Sequence, residues 1–414
     1  MTSTAEPLVF NPFDPEFRVD PYKSYRRFLA EDPVHQSMFG GWVVTRYADC
    51  VALLRDTRMS SDMRNSNMFQ AFLASQNEEA LELFAPASQI RPFLFLDPPD
   101  HTRLRGLVSK AFTPKVIEEL RSRIQEVVDG LLDAALEKGS IEVIGDLAYP
   151  LPVQIISEML GVPPEDHETF KGWSRELARS LDPDFGTPLE ELQQRRDAAL
   201  AFADYFRSLI AERRDAPRDD LLSALVAVEE RGDTLTEEEL LATLTLLLVA
   251  GHETTVNLIG NGTLALLRNP DQRRRLRDDP SLAKNAVEEV LRYDPPVQMT
   301  VRNALEQVEV AGVTVEKGQE TVILLGAANR DPEQFSDPER FDVARPDANR
   351  HLAFSSGHHF CLGAPLARLE GQIALNTLVQ RAGERQLDLQ LVNDAPDYKE
   401  NIVLRGLAAL PISW

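Results

Sequence analysis

The sequence predicts a mainly α (α+β) fold, a large helical body with small β-sheets attached. Three observations predict it. Most of the chain carries apolar residues at helical spacing, punctuated by prolines. Strand-like runs are fewer and shorter. A length of 414 residues with 43% hydrophobic content is enough to bury a large core. No internal repeat, low-complexity tract or Gly/Ser-rich linker divides the chain, so residues 1–414 read as a single domain.

The helical periodicity predicts, in chain order, helices over Pro21 to Glu31, Tyr47 to Arg55, His101 to Phe112, Pro114 to Glu137, Leu151 to Leu160, Pro188 to Arg214 and Asp219 to Glu230. Thr236 and Glu239 have the spacing of a capping box and open a long helix running to Arg268. Helices over Ser281 to Tyr293 and Pro365 to Ala382 follow, the latter with Pro suited to a first turn. Strands are expected at Gly41 to Thr45, Val301 to Ala304, Val308 to Val310, Val313 to Val315 and Thr321 to Leu325, with more near the C-terminus.

Charge and cysteine usage exclude several classes. Forty-four basic against sixty-six acidic residues leave a net charge of −22, which repels phosphate backbones and anionic membranes, so no nucleic-acid partner is expected. The two cysteines, Cys50 and Cys361, cannot build a disulfide framework and lack the spacing of a structural zinc site, a usage that fits a reducing cytoplasm. Residues Met1 to Pro15 lack a signal-peptide pattern, and the longest apolar run, Leu240 to Ala250, falls short of the roughly 18 to 20 residues that span a bilayer. It reads as a buried helix, and no membrane insertion is expected.

The chemistry-bearing residues lie in a few segments. In Phe354-Ser355-Ser356-Gly357-His358-His359-Phe360-Cys361-Leu362-Gly363, Cys361 stands just before a helix N-terminus, where the peptide dipole and free N–H groups favour a thiolate able to bind metal. Glycines on both sides let the backbone curl around the sulfur. Residues alone leave two other readings open: a buried apolar cysteine, or a zinc cluster of His351, His358, His359 and Cys361. In the long helix, Ala250-Gly251-His252-Glu253-Thr254-Thr255 interrupts the apolar pattern. Small residues there leave room for a flat cofactor and a diatomic gas, and the Thr254 hydroxyl beside an acid can relay protons. The alternative is a solvent-facing Glu253 and a Thr254 that bonds back to its own helix. Glu289 and Arg292 can meet across one helical turn, and His101, Arg105, Arg302 and His359 could converge on the carboxylates of a cofactor.

Taken in this order, the motifs resemble those of the cytochrome P450 superfamily, soluble bacterial type, over nearly the whole chain. Phe354, Gly357, Cys361 and Gly363 match its Phe-x-x-Gly-x-x-x-Cys-x-Gly pattern, followed by Ala364-Pro365-Leu366-Ala367-Arg368-Leu369-Glu370. Ala250 to Thr254 looks like the oxygen-activating motif, and Glu289 to Arg292 like Glu-x-x-Arg, whose third member is expected at Arg340. Two positions depart from the pattern: Ser355 replaces a common Gly, and His358 stands where an apolar residue is usual.

The resemblance implies a haem-thiolate monooxygenase that hydroxylates or epoxidises an apolar small molecule such as a fatty acid, terpenoid, steroid or macrolide. It implies haem b (iron protoporphyrin IX) with Cys361 as axial ligand, O2 as cosubstrate, and electrons from NAD(P)H by way of a ferredoxin reductase and a ferredoxin. The thiolate's electron donation favours O–O cleavage. His101, Arg105, Arg302 and His359 are implied propionate clamps, Thr254 and Glu253 the proton relay, and Glu289, Arg292 and Arg340 a structural charge triad. Substrate contacts are expected from Leu94 and Phe95 in the loop Arg91 to Leu96, from Asp166 to Pro188, and from Ala250, Val297 and Met299. Met59 to Ser88 reads as a lid or an amphipathic surface helix, and Arg103, Lys110, Lys115 and Arg368 as a basic patch for the ferredoxin. A non-catalytic haem-thiolate sensor and a peroxide-driven peroxygenase are the rivals, both with less use for Glu253 and Thr254.

Overall fold

The computed structural model describes residues 8–38, 40–76, 81, 91–179, 182, 187–230 and 232–414. Its axis is the helix Glu237–Arg268, opened by the anticipated capping box: Glu239 N–H donates to Thr236 Oγ1 at 3.2 Å, and Thr236 N–H to Glu239 Oε2 at 2.8 Å. This central helix is long and apolar enough to cross a membrane, yet 72% of its most apolar window is buried inside the protein. The helices Pro150–Met159, His167–Ala178, Leu189–Asp215, Ala283–Tyr293 and Ala364–Glu384 cover it on its several sides, so its apolar girth is explained by packing.

The principal sheet has five short strands in the order Val34–Gln36, Trp42–Val44, Glu320–Leu324, Met299–Ala304, Met59–Ser60. Glu320–Leu324 runs parallel to Trp42–Val44 and antiparallel to Met299–Ala304, with Thr321 opposite Arg302. Side chains alternate across a strand, so Thr300 and Arg302 share one face and Met299 the other. Met299 accordingly packs with Phe10, Tyr22, Tyr25, Phe28 and Val43 in a core of its own. Val308–Val310 and Val313–Val315 form the expected small hairpin.

Several elements differ from expectation. The helix expected from Asp219 to Glu230 ends at Ala227, and Glu229–Glu230 pairs with Asp233–Thr234 as a hairpin. The helix expected from Pro114 is two, Pro114–Glu119 and Arg121–Lys138, divided at Leu120. Further helices are present, two of them of eight or more residues in segments with no helix expected. His167–Ala178 occupies part of a segment read only as a substrate contact, and Pro270–Asp278 is so rich in arginine that no apolar stripe marks it. Residues 77–80 and 82–88 of the anticipated lid, and 180, 181 and 183–186 of the anticipated substrate segment, lie outside the described residues.

Candidate active site

The cysteine loop is built by backbone constraints. Ser355 and Gly357 both take left-handed conformations, with φ of 63° and 72°. At Gly357 a Cβ would stand 2.6 Å from the Leu54 carbonyl of the helix Tyr47–Arg55, so only glycine fits. Cys361 N–H donates to the Phe354 carbonyl at 2.9 Å, closing the loop, and the helix Ala364–Glu384 starts three residues on. Burial pushes the Cys361 thiol up, while the N–H groups of Gly363 and Ala364 and the charges of Arg105 and Arg368 pull it down. The expected dipole donors are therefore in place but do not prevail: the protein alone favours the thiol, and a metal must displace its proton to bind the thiolate.

Beside this loop lies a crowd of unsatisfied basic groups. His101 is buried, and among the described residues neither of its ring nitrogens has a hydrogen-bond partner; His359 Nε2 also lacks one. The His101 ring centroid is 4.2 Å from that of His359 and 5.3 Å from that of His358. Burial and then the neighbouring cations hold His101 down at about 4 and His359 at about 2. Arg302, 5% exposed, donates to Thr300 Oγ1 and its neighbour's carbonyl, and burial lowers it to about 10. Arg105 donates to the Phe360 carbonyl and lies within electrostatic reach of Cys361 and His101. Asp97, the acid that acts on this crowd, already accepts from the Ser60 hydroxyl and Ser61 N–H. Uncompensated buried donors are costly. A ligand bearing two carboxylates would satisfy them, and a thiolate-bound iron would satisfy Cys361, so these residues fit an iron porphyrin. A zinc cluster does not form here, for His351 is turned away onto Glu288 at 3.1 Å, and among the described residues no three His, Cys, Asp or Glu are placed to hold a metal ion together.

On the central helix, Thr254 Oγ1 donates to the Ala250 carbonyl at 2.8 Å. That bond consumes the hydroxyl proton and leaves the oxygen free to accept, so back-bonding and a relay role coexist. Gly251 has open space where a Cβ would stand. Glu253 does not face solvent: it is 8% exposed, pairs with Lys399 and lies 3.5 Å from His252 Nε2. Lys399 is 146 residues away in sequence and nothing local announces it.

Two hubs of charge sit on the helix Ala283–Tyr293. Glu289 and Arg292 meet in a fork at 2.7 and 2.9 Å, both fully buried. The third member is Arg345, not Arg340: Arg345 Nε lies 3.1 Å from Glu289, whereas the Arg340 side chain is 59% exposed and turned towards Asp342. Arg340 contributes its carbonyl, which accepts from both Arg292 and Arg345. Next to it, Glu288 takes Arg368 at 2.6 Å and His351 at 3.1 Å, and is held down at about 2 despite its burial. Arg368 also lies 4.6 Å over the Phe354 ring. It is thus anchored rather than part of a free basic surface, and Arg103 is likewise taken by Glu239.

Of the anticipated substrate contacts, Leu94 and Ala250 are partly buried against the main core, and Phe95 ends a turn tied down by Arg91. Val297 borders the core of the principal sheet. Met299 is corrected, since the strand's alternation sends it to the opposite face from Arg302; Thr300 takes the near face.

A partly buried cysteine beside clamps for two carboxylates, in a fold whose central helix is opened by small residues, defines an iron-porphyrin enzyme of the thiolate-ligated class. Residues 45–382 match the family model described as cytochrome P450, and the chain belongs to that family. It is 39% identical to the polyketide biosynthesis cytochrome P450 PksS of Bacillus subtilis over 99% of each chain. The PksS structure matches with a TM-score of 0.86, covering 98% of this chain and 99% of that one. The vitamin D(3) 25-hydroxylase of Pseudonocardia autotrophica is 41% identical, covering 97% of this chain and 95% of its own. The solved complex of P450BioI with an acyl carrier protein bearing hexadec-9Z-enoic acid is 40% identical, with a TM-score of 0.86 and coverage of 97% and 99%. The chain is a cytochrome P450 monooxygenase, an oxidoreductase of haem and dioxygen.

Proposed function

We propose that the chain hydroxylates or epoxidises a large apolar small molecule in the cytoplasm, working as one domain over residues 1–414. It does so on haem b held by Cys361, with electrons passed from NAD(P)H through a ferredoxin reductase and a ferredoxin. The observation that carries this reading is the convergence beside the Cys361 loop of His101 and His359, buried and without partners for their ring nitrogens among the described residues, with the buried Arg302. Arg105, Arg302, His101 and His359 would hold the propionates, and Phe354, Gly357 and Gly363 would shape the loop under the iron. The bound haem supplies the iron at which dioxygen is activated.

The remaining work belongs to this chain's side chains. The Thr254 oxygen, its own proton committed to Ala250, accepts a hydrogen bond on the oxygen-binding side and keeps water ordered there. Glu253, buried next to it in sequence, is the acid that renews the proton. Leu94, Phe95, Ala250 and Val297 present apolar surface to the substrate and exclude water. The relatives named for polyketide, vitamin D and carrier-bound fatty acyl chemistry favour a long or polycyclic hydrocarbon framework.

Cys361→Ala tests the reading. The reduced carbonyl complex of the parent should give a thiolate-type spectrum and the variant should lose it. A variant spectrum identical to the parent's would remove Cys361 as ligand. A panel of fatty acids, terpenoids, steroids and macrolides, scored by the shift of the ferric haem from low to high spin, would then narrow the substrate class.

A further inference from the structure

The helix Pro270–Asp278 carries four arginines, Arg273, Arg274, Arg275 and Arg277, on a chain whose net charge is −22. Arg275 turns to the irregular chain ahead of the cysteine loop, where it holds Asp342 at 2.8 Å. The other three line a cavity of about 350 Å³ between this helix and the end of the helix Ala364–Glu384. That volume falls within the roughly 300–1,000 Å³ of small-molecule sites. At a rise of ~1.5 Å per residue, Gly383 at the cavity lies roughly 28 Å along its helix from the end that adjoins Cys361. The cavity is therefore no part of the haem site.

Its walls are fixed by short contacts. Gln380 Nε2 donates to the carbonyls of Leu276 and Arg277, both at 3.2 Å, and so pins the end of the arginine helix. A Cβ at Gly383 would stand 2.7 Å from Arg277 Cδ, so the Arg277 stem lies against bare backbone. The opposite wall is the turn that leaves the long helix: Gln386 takes a left-handed φ of 55°, and Leu387 N–H donates to the Ala382 carbonyl at 2.8 Å. Buried Val379, Ala382 and Leu389 give the cavity an apolar lining.

The arginines around it are under-used. Arg273, with its side chain 18% exposed, donates to the Leu389 carbonyl at 2.7 Å and stands 3.4 Å from Asp388, long for an ion pair. Arg274 makes no ion pair among the described residues and acts through space on Asp271 and Arg273. Arg277 pairs with its exposed sequence neighbour Asp278 at 2.8 Å. Burial lowers Arg273; Asp388 opposes that, while Arg274 and Arg277 add to it. The lining thus sets three arginines against one carboxylate, Asp388, which is 76% exposed to water. Like charges held around one cavity repel, and an anion between them relieves the repulsion.

We propose that this cavity binds an amphipathic anion, with a carboxylate or phosphate ester in the forks of Arg274 and Arg277 and a short apolar body against Val379 and Leu389. The planar guanidinium fork matches either head group, and the apolar lining distinguishes such a ligand from a bare inorganic ion. Arg273 stays on the Leu389 carbonyl and contributes its charge. The site uses no residue of the haem pocket and stands apart from the oxidation chemistry proposed above.

The test is a calorimetric titration of the haem-loaded protein, its haem pocket filled with imidazole, using phenyl phosphate, phenylacetate, benzyl alcohol and inorganic phosphate as probes. Phenyl phosphate or phenylacetate should bind, one site per chain, and the tighter of the two identifies the head group. Arg274→Gln and Arg277→Gln should each weaken that binding about tenfold or more, the loss expected for a charge-assisted hydrogen bond. Arg274→Lys, which keeps the charge but not the fork, should fall between, and added salt should weaken the parent. Lys23→Gln makes the same charge change at an exposed position on the helix Pro21–Glu31 and should leave the affinity unaltered. Equal affinities in Arg274→Gln, Arg277→Gln and Lys23→Gln overturn the site. So does benzyl alcohol or inorganic phosphate binding as tightly as the aromatic anions, or no binding of either aromatic anion at millimolar concentration.

Discussion

Glu370 carries the most quantitative prediction. It lies on the helix Ala364–Glu384, 1% exposed, and among the described residues neither carboxyl oxygen has a hydrogen-bond partner. The Thr255 hydroxyl works against the shift, but it is committed to the Gly251 carbonyl at 3.1 Å, and burial wins, raising Glu370 from 4.5 to about 8. The folded protein thus keeps the proton over a range in which the unfolded chain releases it. Stability is full below about pH 4.5, falls as pH rises towards 8, and is flat beyond.

At ~1.36 kcal/mol for each pH unit, the full range from 4.5 to about 8 amounts to about 5 kcal/mol, and the part reached by pH 7 to about 3. Glu370→Gln keeps the shape and cannot ionise. It should be nearly neutral at pH 4.5 and stabilising by about 3 kcal/mol at pH 7, which for a chain of 414 residues raises Tm by about 3 °C. The measurement is the Tm difference between variant and parent, both haem-loaded, at pH 5.5, 7 and 8.5. The gap should widen with pH and then level off. A gap that stays constant with pH would refute the reasoning, because any pH-independent cause, such as altered packing, leaves no slope.

Three other outcomes follow from named contacts. Arg345→Met leaves Glu289 with one cationic partner in a dry site and should cost about 3–5 kcal/mol with loss of bound haem, whereas Arg340→Ala should stay within about 0.5 kcal/mol; thermal melts and haem absorbance read both. Ser355→Gly relieves the left-handed strain at φ 63° and a buried hydroxyl without a partner among the described residues, and should stabilise by about 1 kcal/mol, measured by Tm. Thr254→Ala should keep the spin shift on substrate binding but divert reducing equivalents to peroxide; unchanged coupling of NAD(P)H consumed to product would exclude Thr254 from the relay.

How much of this was legible in the sequence depends on range. The central helix and the cysteine loop are local: a capping box, a run of apolar residues, and a Gly-flanked cysteine ahead of Pro365 are each readable within a few residues. Arg345 was not legible, because the meander offers two arginines five residues apart and no periodicity says which turns inward. Lys399 and Glu370 were missed for the same reason in stronger form. Their meaning comes from what the tertiary fold sets against them, a carboxylate in one case and the lack of any partner in the other. Met299 failed on register, since a one-residue change along a strand moves a side chain to the other face.

The two hubs on the helix Ala283–Tyr293 explain how a loop with two left-handed residues can hold a sulfur atom steady. Glu288 and Glu289 are successive residues and so point about 100° apart around the helix. Glu289 ties Arg345 and, through Arg292, the carbonyls of Asn329, Pro338 and Arg340, fixing the irregular chain that leads into the loop. Glu288 ties Arg368 from the helix that leads out of it, and Arg368 covers the ring of Phe354, whose carbonyl accepts from Cys361 N–H. Entry and exit of the loop are therefore referred to one rigid element. The position of the cysteine is set by carboxylates that need never touch the iron, and a substitution at Glu288 or Glu289 acts on the ligand through geometry alone.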